Sequence, residues 1–179
     1  MRGLKVHYVP WEKSLHIWAC LALFLAAGAD SKAQGVFPKS LDTTPGVHVR
    51  AEDGRTHRGS DHYSGLCRVV LQEFGIPADT PITIDLVFID RETRDRLHDN
   101  NATRFESSDW CGAFIAPSLI LMVGEEESDD TFMHEFMHYL QQKGLLFSTV
   151  PFSAVHPLIE RNEGLLLGSK SYLEFLKTR

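Results

Sequence analysis

The spacing of apolar residues changes several times along the chain, and each change marks an element. From Asp61 to Phe74, Tyr63, Leu66, Val69, Val70 and Phe74 recur at helical intervals, and Gly75 with Pro77 ends the run. Pro81 to Asp90 (PITIDLVFID) is rich in β-branched residues and predicts a strand. Arg91 to Asp99 is mostly charged and predicts a short helix or turn. Cys111–Ala116 and Leu119–Val123 predict two short strands interrupted by Pro117-Ser118, as a hairpin or a bulged strand. Residues 129–143 predict a helix that is apolar around most of its surface, with Ser128 as N-cap, Asp129 and Asp130 in the first turn and Gly144 at the C-terminal end. Residues 145–157 predict a loop, and Pro157 opens a last helix to about Lys177. Residues 30–59 are rich in Gly, Pro, Ser, Thr and charge and predict an irregular arm. His48 and His57 in that arm have no metal-ligand spacing and read as surface histidines.

The N-terminus has the pattern of an export signal. Arg2, Lys5 and Lys13 precede an apolar run, Leu15 to Ala27, too short for a comfortable membrane span. Ala27-Gly28-Ala29 supplies an A-x-A site, with cleavage after Ala33 as the alternative; the apolar run continues past Cys20, which argues against a lipoprotein. The expected organisation is a signal peptide over 1–29, the arm over 30–59 and one domain over 60–179, exported to a periplasmic or secreted location without a stable membrane anchor. The signal segment carries +2, so the remainder of a −6 chain carries −8. That balance argues against nucleic acid and against anionic membrane surfaces as partners. Asn101-Ala102-Thr103 is a glycosylation sequon if the host is eukaryotic. Signal removal leaves Cys67 and Cys111, for which an oxidising compartment predicts a disulfide worth about 4 kcal/mol in the chain-entropy model.

The candidate chemistry lies in the apolar helix. His134-Glu135-Phe136-Met137-His138 puts two imidazoles four residues apart on one helix face, in reach of one metal ion. Glu135 beside the first histidine can take a proton from a water that the metal activates. Phe132, Met133, Phe136, Met137, Tyr139 and Leu140 bury the same helix, and ionisable groups there are costly unless satisfied. The spacing therefore predicts a Zn²⁺ site. Catalytic zinc needs a third protein ligand, and Glu160 and Glu163 on the last helix are the candidates. Run on to Lys177, a helical wheel groups Glu163 with Lys170, Glu174 and Lys177, and Glu160 with Gly164, Leu167, Gly168 and Ser171. The wheel favours Glu160, with Glu163 as the alternative.

His134, Glu135 and His138, followed by a helix containing Glu160-Arg161-Asn162-Glu163-Gly164, resemble the gluzincins, zincin peptidases with a glutamate third ligand. The third histidine of the metzincin pattern would fall at Gly144, which excludes that variant. The resemblance spans about residues 81–179, and the length resembles the minigluzincins. It implies an α+β zincin-like fold: a small mixed sheet with an edge strand, the motif helix and a glutamate-bearing helix. It implies a zinc metallopeptidase acting on a peptide or protein, with Glu135 as general base and Leu119–Val123 as the peptide-binding strand. Asn162-Glu163-Gly164 is similar to the aminopeptidase form of the motif and would favour Glu163. Neither glutamate is followed four residues later by Asp, so no residue is assigned to orient a zinc-bound histidine. His156, Tyr139 and Tyr172 are candidate oxyanion donors. The competing expectation is a zincin fold that binds metal or a partner without turnover. Glu125 to Asp130, an acidic run, reads as a solvated loop capping the motif helix, with selection of basic substrates as the other reading.

Overall fold

The structure is a computed structural model that describes residues 44–100 and 109–178. The signal segment, most of the arm and the Asn101 sequon lie outside the described residues. Four strands form one mixed sheet: β1 (Gly46–Ala51), β2 (Thr83–Ile89), β3 (Gly112–Ile115) and β4 (Leu119–Val123), in the order β1-β2-β4-β3. β1, β2 and β4 run parallel, and β3 is antiparallel to β4. Five α-helices accompany it among the described residues: α1 (Ser60–Glu73), α2 (Arg91–Asn100), α3 (Asp129–Gln142), α4 (Phe152–Leu167) and α5 (Lys170–Lys177).

Strand alternation divides the core in two. Ile84, Leu86 and Phe88 of β2, Ile120 and Met122 of β4 and Phe114 of β3 face α1 and α3. Val87, Ile89, Leu119, Leu121, Val123 and Ala113 face the other way, onto Leu97 of α2 and Trp110. With both faces covered, β2 and β4 read as near-continuous apolar runs. Phe132 and Phe136 of α3 are fully buried, each contributing roughly 1.5–3 kcal/mol. The expected caps of α3 are present: Ser128 Oγ accepts the Thr131 N–H, and Gly144 takes the left-handed φ of +70° just past the last turn.

Several expectations change. Residues 46–51 are not irregular but form β1, whose short Val47-Val49-Ala51 alternation gives little signal beside Pro45 and Gly46. The strand before the motif helix, Leu119–Val123, is internal, paired with β2 on one side and β3 on the other. The antiparallel edge strand is β3. The last helix starts at Phe152, with Pro157 inside it, and stops at Leu167; Ser169 caps a separate α5. A wheel run through both helices therefore compared residues that share no axis.

Cys67 and Cys111 are free thiols, not a disulfide. Cys67 packs in the core on the α1 face, whereas Cys111, one register step from Gly112 and opposite Val123, belongs to the α2 face and donates to Glu126. The sheet stands between them. Burial raises both thiols, Cys111 to about 12 with the Glu126 carboxylate adding to the effect.

His57 is not a surface histidine. Its side chain is 3% exposed, stacked on Phe88 with centroids 3.8 Å apart, and held between Glu127 at 2.9 Å and Asp53 at 2.9 Å. Tyr63 donates to Glu127 at 2.5 Å. Beside it, Asp129 receives Arg58, His62 at 2.8 Å and the Tyr172 hydroxyl at 2.8 Å. Glu125 pairs with Arg55, and Glu126 with Arg91. The acidic run is thus paired within the protein at Glu125, Glu126, Glu127 and Asp129, and its Ser128 caps α3. It ties the loop after β1, α1, α2 and α5 to the start of α3.

Non-reducing digestion of the folded protein is expected to yield Cys67 and Cys111 in separate peptides, with Cys67 reacting with thiol reagents only on unfolding; a linked peptide would refute this. The His57 cluster predicts a pH effect. Burial lowers the His57 pKa, but hydrogen bonds and charge from Glu127 and Asp53 outweigh it and hold the group above 6.5. Its stabilisation is therefore complete below about 6.5 and lost as pH rises through the raised folded value. Glu127 behaves oppositely: burial raises it, but Tyr63, His57 and the Arg58 N–H lower it below 4.5, so its share is lost on acidification. Thermal melts should show stability declining from near neutral toward alkaline pH. His57→Gln should remove that slope and lower the melting temperature at pH 6, since enclosed Asp53 loses its histidine cation and Glu127 keeps only Arg58, at 3.9 Å.

Candidate metal centre

The motif helix lies with its polar stripe toward α4. His134, Glu135 and His138 are 2%, 1% and 1% exposed, fully interior for ionisable groups. The i, i+4 spacing sets the His134 and His138 rings 5.1 Å apart. From α4, the His156 ring lies 5.1 Å from His134 and 5.7 Å from His138. One ligand atom from each of the three lies within 4.8 Å of the others. Three nitrogens bound to zinc at about 2.0–2.1 Å stand roughly 3.4 Å apart in a tetrahedral shell, so a modest inward turn of the rings closes the set. The donor set fits a borderline-soft divalent ion.

The two motif histidines differ in protonation, and a metal ligand must be neutral. Burial, then the neighbouring His134 and His156, hold His138 well below the usual histidine value, as a neutral imidazole. Burial lowers His134 too, but its hydrogen bond to Glu163 and the charges of Glu135, Glu163 and Glu160 raise it overall. The Glu163 Oε2 to His134 Nδ1 distance is 2.8 Å. This bond assigns the proton to Nδ1 and leaves Nε2, which has no hydrogen-bond partner among the described residues, as the donor atom.

The glutamate helix therefore places its residues differently from the wheel. Val155, Ile159 and Leu166 form its buried stripe. Glu163 is about 40° from Ile159 around the axis and Glu160 about 100°. Glu163 reaches the motif helix as the partner of His134, in the orienting role for which the sequence offered no residue. Glu160 is half exposed, its carboxylate 3.5 Å from His156 Nδ1, and is not among the converging ligand atoms. His156, a candidate oxyanion donor from sequence, is the residue brought to the two motif histidines. Its signal was available: His156 precedes Glu163 by seven residues, two turns on one face, but that relation holds only once the helix is known to begin before Pro157.

Glu135 is completely enclosed. Its Oε2 accepts the Phe114 N–H of β3 at 2.7 Å, and its Oε1 has no hydrogen-bond partner among the described residues. Burial pushes its pKa up to about 7, against lowering by His134 and the Phe114 N–H. Neither tyrosine is at this site. The Tyr139 hydroxyl accepts from the Thr83 N–H, and that of Tyr172 is committed to Asp129.

No family model, curated protein or solved structure matches this chain. No described helix is long and apolar enough to cross a membrane.

Proposed function

We propose that the chain is an exported zinc-dependent metallopeptidase of zincin type, with the metal held by His134, His138 and His156. The observation that carries the reading is the convergence of three histidines beside a fully buried Glu135. In the gluzincin resemblance the third ligand is a glutamate, with the wheel favouring Glu160 and Asn162-Glu163-Gly164 favouring Glu163; the geometry favours His156 in that place, with Glu163 orienting His134. Bound there, zinc supplies Lewis acidity, acidifying water and polarising a peptide carbonyl. Glu135 is held through Oε2 by the Phe114 N–H, which leaves Oε1 to take the proton of the attacking water and deliver it to the leaving amine. Enclosure by α3, α4 and β3 keeps the base out of bulk water and its pKa near neutrality. Leu119–Val123 is enclosed between β2 and β3 and so is not open to an extended peptide, while the Phe114 N–H on the outer edge of β3 is committed to Glu135. Export is supported by the N-terminal sequence pattern alone.

The second reading, a metal- or partner-binding protein without turnover, lacks a use for a buried, hydrogen-bonded carboxylate at Glu135. Purified protein is expected to hold about one zinc per chain and to cleave an unfolded protein in a chelator-sensitive way. Glu135→Gln should keep the zinc and lose about 10²–10⁴-fold in kcat. Stoichiometric zinc with no cleavage by the wild type would establish the second reading instead.

Zinc titrations separate the ligand assignments. His138→Ala and His156→Ala should each abolish stoichiometric zinc, Glu163→Ala should weaken it about 10–100-fold, and Glu160→Ala should leave it nearly unchanged. Full loss in Glu160→Ala with retention in His156→Ala would reverse the assignment.

A further inference from the structure

The register of the β3–β4 pair fixes which groups of β3 face outward. The Val123 N–H donates to the Cys111 carbonyl at 2.9 Å, so Cys111 and Val123 are a hydrogen-bonded pair. Two-residue alternation then assigns Gly112 and Phe114, opposite Met122 and Ile120, to the positions whose N–H and C=O point away from β4. The Phe114 N–H is turned to Glu135. Gly112 lies on the same face of the strand, under the first half of α3. A Cβ built there would stand 2.6 Å from Thr131 Cγ2 and 3.2 Å from Glu135 Cγ. Thr131 is β-branched and stiff on a helix, and its hydroxyl is tied to Ser128 Oγ at 2.8 Å. The clash is therefore relieved by moving α3 off the strand, not by rotating one side chain.

We propose that Gly112 is a positioning residue for the general base: the missing side chain lets α3 settle on β3 at the distance where the Phe114 N–H grips the Glu135 carboxylate. This rests on Glu135 acting as the base. The grip fixes Oε2 and so aims Oε1 at the reacting water. Gly112 touches neither metal nor substrate in this role; it acts through the α3–β3 spacing and through the room left beside Glu135 Oε1, which a Cβ there would approach to 3.4 Å. The Gly112 φ is not in the left-handed region, so backbone conformation does not demand glycine there; the close approach does.

The test uses Gly112→Ala, Thr131→Ser and the double variant in the zinc-loaded full chain. Thr131→Ser removes the clashing methyl and keeps the hydroxyl that bonds Ser128. Gly112→Ala is expected to keep its zinc and lower kcat about 10–100-fold with KM little changed. The double variant should regain most of the loss, and Thr131→Ser alone should resemble wild type. Amide exchange of Phe114, read by NMR, supplies a measure independent of turnover: protection in the wild type, lost in Gly112→Ala and in Glu135→Ala, and restored in the double variant. Wild-type kcat and Phe114 protection in Gly112→Ala would overturn the proposal, as would loss of zinc in step with kcat, or a double variant no better than Gly112→Ala. If the wild type hydrolyses nothing yet the exchange pattern holds, the positioning stands and the catalytic reading fails.

Discussion

The helix α3 carries two histidines and a glutamate into the interior, where unpaired ionisable groups are costly. Each surrounding element answers part of that cost. Glu163 of α4 takes the Nδ1 side of His134, β3 gives Glu135 a backbone N–H, and His156 completes a trio of imidazoles whose remaining demand fits a metal ion. The aromatic side of the same helix, Phe132 and Phe136, anchors it to the core and supplies the favourable burial that holds the polar side in place.

The N-terminal end of α3 is fixed by a different device. Four carboxylates, Glu125, Glu126, Glu127 and Asp129, stand close in sequence around the capping Ser128 and would repel one another if left alone. Arg55, His57, Arg58, His62 and Arg91 instead approach from three elements and pair with them. His57 is the most enclosed of these, with both ring nitrogens facing carboxylates and one face against Phe88. Gly124 closes the packing, since a Cβ there would meet the carboxylate of Asp53. The loop after β1 is thereby made part of the frame that presents the motif helix.

Local sequence determined a good deal. The period and end of α1, the period and caps of α3, the β-branched run of β2, the two short strands β3 and β4 and the motif His134-Glu135-His138 were all legible, because each depends on neighbours within a few residues. The expectation of a further ligand came from the coordination number of a catalytic zinc, not from any local pattern. What only the tertiary structure decided was set by partners distant in the chain. β1 exists because β2 offers it a parallel edge. Cys67 and Cys111 are kept apart by the sheet. His57 is interior because Glu127 lies 70 residues away in sequence and 2.9 Å away in space. Which of His156, Glu160 and Glu163 lie toward His134 and His138 depends on where α4 begins and ends, at Phe152 and Leu167. A periodicity argument carries across such a break without notice, since it reads spacing along the chain and not the direction of the axis.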